Sequence, residues 1–300
     1  MANRISTSQL FHNAQSHVGQ ARGREVSSSE KAATLKELNR PSDNPSGWVQ
    51  ATQLKNEMQN GDTMAKNMSV ANRMLAVTDN LLAQVTEGLD RAHEIAITAA
   101  SDSVGGEQGR RIMLPEIKVV FDQIVQSLNF RYGGRTLLGG YQTQTPAYDE
   151  KGGRVGDENV AEIEIGHGMK MPINISPDEV IGGRGNGLGV DIIGTLKGLI
   201  AGLENDNLDQ VRESLPQLLM AVDQISLGRS QVASKMLELE RSMTNQSSEK
   251  IEQLESVSKI EEVDAVKAFS DLTRDQTVLR AAMSTSQKVL TEDPTAILFK

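Results

Sequence analysis

The sequence predicts a mainly α protein: long heptad-patterned helices in an elongated coiled-coil-like bundle, with a small β-rich inserted domain. Three observations carry that reading. Apolar residues recur every three or four positions over two long stretches, at the period of helices that supercoil around neighbours. Only five Phe, three Tyr and one Trp occur in 300 residues, so aliphatic side chains and Met must fill the interior, which suits slender bundles rather than a thick globular core. Between Pro146 and Gly189 the period changes from helical to alternating, as paired strands require.

In chain order, Phe11, Ala14, Val18 and Ala21 form a narrow N-terminal stripe. It is too thin to hold a lone helix in water, so it is expected to find order only against the matching C-terminal stripe and against neighbouring subunits. The stretch "RPSDNPSG" follows, a rigid corner in which Arg40 and Asn44 each precede a proline and so avoid the helical region. Pro45 suits a first helical position, with Asp43 or Asn44 as cap. From there the seam Met64, Met68, Ala71, Leu75, Thr78, Leu82, Val85, Leu89, Ala92, Ala96, Ala99 predicts one helix to about Ala100, roughly 80 Å long at ~1.5 Å per residue.

A Gly-Gly break at 105 and 106 precedes Leu114, Ile117, Phe121, Ile124 and Leu128, which predict a second helix antiparallel to the first because the connection is short. Pro115 lies early in it or kinks it. Then comes "GRTLLGGYQTQTPAY", a glycine-rich turn with aromatic residues. The following "AEIEIGHGMKMPINI" reads as two antiparallel strands joined around Gly166, His167 and Gly168, and Pro172 predicts an edge strand. Helix resumes near Asp191. Leu208, Val211, Leu215, Leu218, Val222, Ile225, Arg229, Val232, Met236, Leu239 and Met243 form the second long seam, with Pro216 predicting a kink or restart. The C-terminal stripe is Leu272, Gln276, Leu279, Met283, Ser286 and Leu290. The expected domains are 1–40 with 261–300 as an inner terminal-helix layer, 41–145 with 190–260 as a helical rod, and 146–189 as a small β-rich outer domain.

Composition excludes several functions. A net charge of −9, from 40 acidic and 31 basic residues, provides no basic stripe for a phosphate backbone, so nucleic acid is not an expected partner. There is no Cys, hence no disulfide, thiolate nucleophile or zinc-thiolate site. The first residues hold no 7 to 15-residue apolar core of a cleavable signal, and nothing approaches the ~20 apolar residues of a membrane span. The chain is expected either to stay in the cytoplasm or to leave by a route that reads no cleaved signal.

Catalysis finds no support. His93 and Glu94 lack the second His of a helical zinc motif, and His12, His17, His93 and His167 are scattered. "GGRGNGLG" at 182–189 lacks the βαβ unit that a dinucleotide fingerprint needs, so it reads as a flexible exit from the insertion. Glu261 and Glu262 read as part of a solvated helix flank. The expectation is no enzyme, no cofactor and no metal.

Four fragments carry a resemblance: "NRISTSQLFHNA", "RPSDNPSG", "GRTLLGGYQTQTPAY" and "VDAVKAFSDLTRDQTVLRAAMSTSQKVL", in that order. Together they resemble the bacterial flagellin superfamily, and within it the members that join hook to filament, over roughly residues 1–148 and 190–300. The resemblance implies a structural adaptor of the flagellum that forms the hook-filament junction and templates flagellin assembly. A flagellin filament subunit is the alternative, disfavoured by the exit turn and the small insertion. A cytoplasmic helical binding protein would explain the heptads but not the corner or the turn.

The resemblance further implies assembly through the terminal stripes, with Phe11, Ala14, Val18, Ala21, Leu272, Leu279, Met283 and Leu290 at the interface. Arg40, Pro41, Ser42, Asp43 and Pro45 make the family corner. Gly133, Gly134, Gly139, Gly140 and Tyr141 make the turn where the chain leaves the helices, with Tyr141 and Tyr148 as its anchors. Implied partners are further copies in a ring on the flagellar axis, the preceding hook-associated protein, flagellin, and an export chaperone at the C-terminal helix. The implied location is extracellular, after export without a cleaved signal peptide. Family members commonly carry a Ser-Gly turn just before the corner; here "VSSSEKAATLKELN" has no Gly.

Overall fold

A computed structural model describes residues 7–101, 106–157, 159–166, 168–183 and 189–291. Its helices are α1 (Thr7–Thr34), α2 (Pro45–Ala100), α3 (Gly106–Leu128), α4 (Pro177–Val180), α5 (Ile192–Glu204), α6 (Leu208–Glu261) and α7 (Ala265–Thr291). The strands are β1 (Arg131–Tyr132), β2 (Arg135–Thr136), β3 (Glu162–Gly166) and β4 (Met169–Pro172), paired antiparallel as β1–β2 and β3–β4. The fold is mainly α with a small β insertion, as the sequence predicts. It divides into two compact units, Met1–Asn60 with Ser248–Lys300, and Gly61–Ser247.

In the unit Gly61–Ser247 the predicted seams are the core. Met68, Leu75, Leu82 and Leu89 of α2 and Val211, Leu218, Ile225, Val232 and Leu239 of α6 are all fully buried. Each Leu buried this way contributes roughly 1.5–3 kcal/mol. The helix α3 adds Ile117, Phe121, Ile124 and Leu128. It runs antiparallel to α2: Gln84 meets Ser127, a Cβ on Gly88 would lie 2.7 Å from Ile124, and Arg91 pairs with Glu116. The missing side chain at Gly88 is what lets the two backbones approach. The packing of α6 against α2 is also antiparallel, with Gly61 beside Gln246 and Arg229 Nε donating to Asp79 at 2.9 Å. Pro216 does not restart the helix; α6 continues from Leu208 to Glu261.

Two caps set boundaries that periodicity alone leaves open. Asp191 Oδ1 accepts from Gly194 N at 3.0 Å and starts α5, while Asn207 Oδ1 accepts from Gln210 N at 3.2 Å and starts α6.

The insertion is not a separate body. Ala147, Tyr148, Ile165, Met171, Ile175, Val180 and Ile181 belong to the same buried cluster as the helices. Its strands pair Glu162 with Pro172, Ile163 with Met171 and Glu164 with Lys170, and a bulge lies between Glu164 and Gly166. Alternation therefore turns Ile165 and Met171 inward and leaves Glu162, Glu164 and Lys170 exposed. Polar clamps tie the segment to α6: Gln224 Nε2 donates to the carbonyls of Val180 and Val190, and Lys235 Nζ donates to Asn174 O at 3.1 Å. His167, Gly105 and most of "GGRGNGLG" lie outside the described residues.

In the unit Met1–Asn60 with Ser248–Lys300, α1 packs against α7, and the same unit holds the first turns of α2 and the last turns of α6. Small side chains line the contact: Ala21, Ala32 and Ala268 are buried. Asp264 Oδ1 caps α7 by accepting from Val266 N at 2.7 Å and Lys267 N at 3.1 Å.

Candidate functional site

The terminal pair, the corner beside it and the exit turn hold the residues to which the sequence assigns function. On α1, Ala21 is buried against its own partner helix, and Ala14 and Val18 are half-buried. On α7, Leu272 and Leu279 are half-buried and Met283 is exposed. The side chains of Phe11 and Leu290 lie outside the described residues. Much of the narrow seam is thus spent on the α1–α7 contact within one chain. The large apolar side chains left in solvent are Val266, 81% exposed, and Phe269, 55% exposed, with Val26, Val278 and Met283 also uncovered. Sequence reading missed both: Phe269 continues the 3,4 stripe three residues ahead of Leu272, where the stripe was started, and Val266 lies off it. The available signal was the same 3,4 spacing carried one step further towards the start of α7.

The corner is built by two side chains with different tasks. Asp43 Oδ2 accepts from Arg40 N at 2.8 Å and Asn39 N at 3.0 Å, closing the turn. These bonds, led by that from Arg40 N, hold the Asp43 carboxyl below its usual pKa. Asn44 is the helix cap: its Oδ1 accepts from Gly47 N at 3.0 Å and Ser46 Oγ at 2.9 Å, with Pro45 in the first turn. A Cβ on Gly47 would stand 2.8 Å from Asn44 Nδ2, so this glycine makes room for the cap. Arg40 reaches back to Glu30 of α1 at 3.0 Å.

Before the corner, in a stretch without glycine, Leu35 takes the left-handed conformation, φ 54°. It ends α1, and its carbonyl accepts from Val263 N at 3.1 Å while Glu37 N donates to Glu261 O at 2.7 Å. The Glu261 side chain, read from sequence as solvated, is only 9% exposed and pairs with Lys36 at 3.5 Å and with Lys55. Burial behind two lysines from different segments carries no periodic signature. Glu262 is exposed and accepts from Ser258 Oγ.

The exit turn begins with the hairpin β1–β2, whose two turn residues Gly133 and Gly134 have φ 57° and 80°. Both positive angles make the tight turn that matches strand twist. Gly140 also needs its freedom, because a Cβ there would fall onto the Asp157 carboxylate, which accepts from Tyr141 N at 2.8 Å. Gly139 is crowded instead: a Cβ would lie 2.9 Å from Gln142 O. Tyr141 does not anchor the turn through its ring, which is 63% exposed; only its backbone is held. Tyr148 is the buried aromatic, clamped to Asn129 by two bonds of 2.9 and 2.7 Å, and burial pushes its phenol up to about 12.

No chemical centre emerges around these features. Among the described residues no group of three or more His, Cys, Asp or Glu is placed to hold a metal ion. Nor is any helix there long and apolar enough to cross a membrane.

Residues 5–143 match the bacterial flagellin N-terminal helical region. The chain carries a flagellin-type N-terminal helical region. Its similarity to the flagellar hook-associated protein 3 of Escherichia coli K12 is 23% identity over 301 residues, covering 93% of this chain and 94% of that protein. Among solved structures it resembles a protein of Vibrio parahaemolyticus described as a flagellar hook-associated protein, with a TM-score of 0.66 at 22% identity over 73% of this chain and all of that one. The flagellar junction protein of Legionella pneumophila aligns with a TM-score of 0.57 at 13% identity, over 71% of this chain and all of that one. At these identities the solved structures establish the flagellin-like fold. Agreement along nearly the whole E. coli sequence extends beyond the helical region common to flagellins.

Proposed function

We propose that the protein is a structural adaptor of the bacterial flagellum: copies form a ring on the flagellar axis, join hook to filament and template flagellin assembly. The observation that carries this reading is the near full-length agreement with a hook-associated protein 3, which runs through the insertion as well as the helices. Uncovered Val266 and Phe269 on α7 support assembly through the terminal pair, because a helix face of this kind is costly to leave in water. The predicted stripe residues then work in two groups: Ala21 and its neighbours pair α1 with α7, and the outward side chains meet other copies, the preceding hook-associated protein or flagellin.

In this reading 1–40 with 261–300 form the inner layer around the export channel, 41–145 with 190–260 the rod, and 146–189 the outer part. The protein is exported without a cleaved signal, and a chaperone covers α7 in the cytoplasm. Function is interface geometry, with no reaction for a side chain to perform. Electron microscopy of a strain lacking the protein tests the reading: hooks without filaments, with flagellin shed into the medium, are expected. Filaments of ordinary length on those cells would contradict it.

A further inference from the structure

We propose that the two links leading into the terminal helix pair are one joint, and that Glu261 is its positioning residue, setting the register at which α1 meets α7. The inference concerns the folded chain alone and stands apart from the assembly reading.

Residues 35–37 and 261–263 lie side by side in antiparallel pairing, with a bridge between Lys36 and Glu262 and backbone bonds on either side of it. The chain therefore leaves α1 and enters α7 through the same short ladder. Two backbone bonds alone do not lock that ladder, because a two-residue pairing can slip at little cost. The Glu261 carboxylate supplies the lock. It is nearly out of solvent and takes Lys36 from the ladder itself and Lys55 from α2, so slippage would strand a buried charge or pull two lysines from their partner. Leu35 carries the other half of the device. A non-glycine residue at positive φ persists where its surroundings over-determine it, and here Val263 holds its carbonyl. Further along the pair, Ser28 Oγ donates to Asp275, which is buried, so this contact reports the register that the joint sets.

A chain without Cys makes the test direct. Ser28→Cys with Asp275→Cys is placed in the full chain, and the monomer is treated with dibromobimane, which becomes fluorescent when it links two nearby thiols. Adding Glu261→Gln is expected to slow that reaction at least fivefold while far-ultraviolet circular dichroism stays unchanged. Inverting the cluster with Lys36→Glu, Lys55→Glu and Glu261→Lys is expected to bring the rate back to within twofold of the parent pair. A Glu261→Gln rate equal to the parent would overturn the proposal, as would an inverted cluster that stays slow. General loss of helicity in Glu261→Gln would overturn it too, since Glu261 would then maintain the fold rather than the register.

Discussion

Leu35 and Tyr148 show how single residues are held away from their preferred states. A left-handed non-glycine residue costs about 1–2 kcal/mol, and glycine in its place costs about 0.5–1 kcal/mol through its larger unfolded-state entropy. The first term is the larger, so Leu35→Gly is expected to raise stability slightly, by about 0.5 kcal/mol, read as a higher midpoint in urea. A loss of more than about 1 kcal/mol would show that the Leu35 side chain matters more than its strain. At Tyr148 burial disfavours the phenolate. A raised folded pKa contributes stability that is complete below the unfolded value near 10 and is lost as pH climbs towards about 12. Phenolate absorbance at 295 nm, taken as the difference between the parent and Tyr148→Phe, should rise only towards pH 12; a rise centred near 10 would contradict the buried placement. Neither feature was readable in advance. Tyr148 could be named from the turn motif, but nothing local separates it from Tyr141, whose ring is in water. Leu35 has no compositional mark at all.

At the scale of elements, the heptad seams of α2 and α6 were readable residue by residue, because burial on a long helix repeats and repetition is visible in sequence. The corner was readable as well, since proline restricts its neighbours and Asn44 is a strong cap. Less accessible was what lies between seams. Gly88 looks from sequence like a weak point in a helix, yet it is where α3 closes on α2. Alanine at an open helical site is favoured over glycine by ~1 kcal/mol. Here the added Cβ meets buried Ile124 at 2.7 Å, and overpacking of that kind costs about 1–3 kcal/mol. Gly88→Ala should therefore destabilise by about 1 kcal/mol in chemical denaturation, and a gain in stability would mean that α2 and α3 stand further apart. The insertion follows the same lesson: its strands were visible in alternation, whereas its share in the helical core depends on Gln224 and Lys235, polar residues on the flank of the α6 seam.

For the whole molecule, the proposed assembly rests on a division of labour in the terminal pair between side chains used within the chain and those left for other subunits. Phe269 separates the two most cleanly. It lies on α7, 55% exposed, one residue beyond buried Ala268, so a charge there disturbs little of the chain's own packing. In an assembled ring the same position would be covered, and an unpaired charge excluded from water is costly in every copy. Secretion is a confounding step, because the chaperone site proposed above would lie on the same helix, so purified protein is the right material. The decisive measurement is to add purified Phe269→Asp to hooks of a strain lacking this protein, follow with flagellin, and count filaments beside a parent control. The expected result is a monomer with unchanged helicity and thermal midpoint that fails to support filament growth. A mutant that nucleates filaments as well as the parent would contradict assembly through the exposed face of the terminal pair.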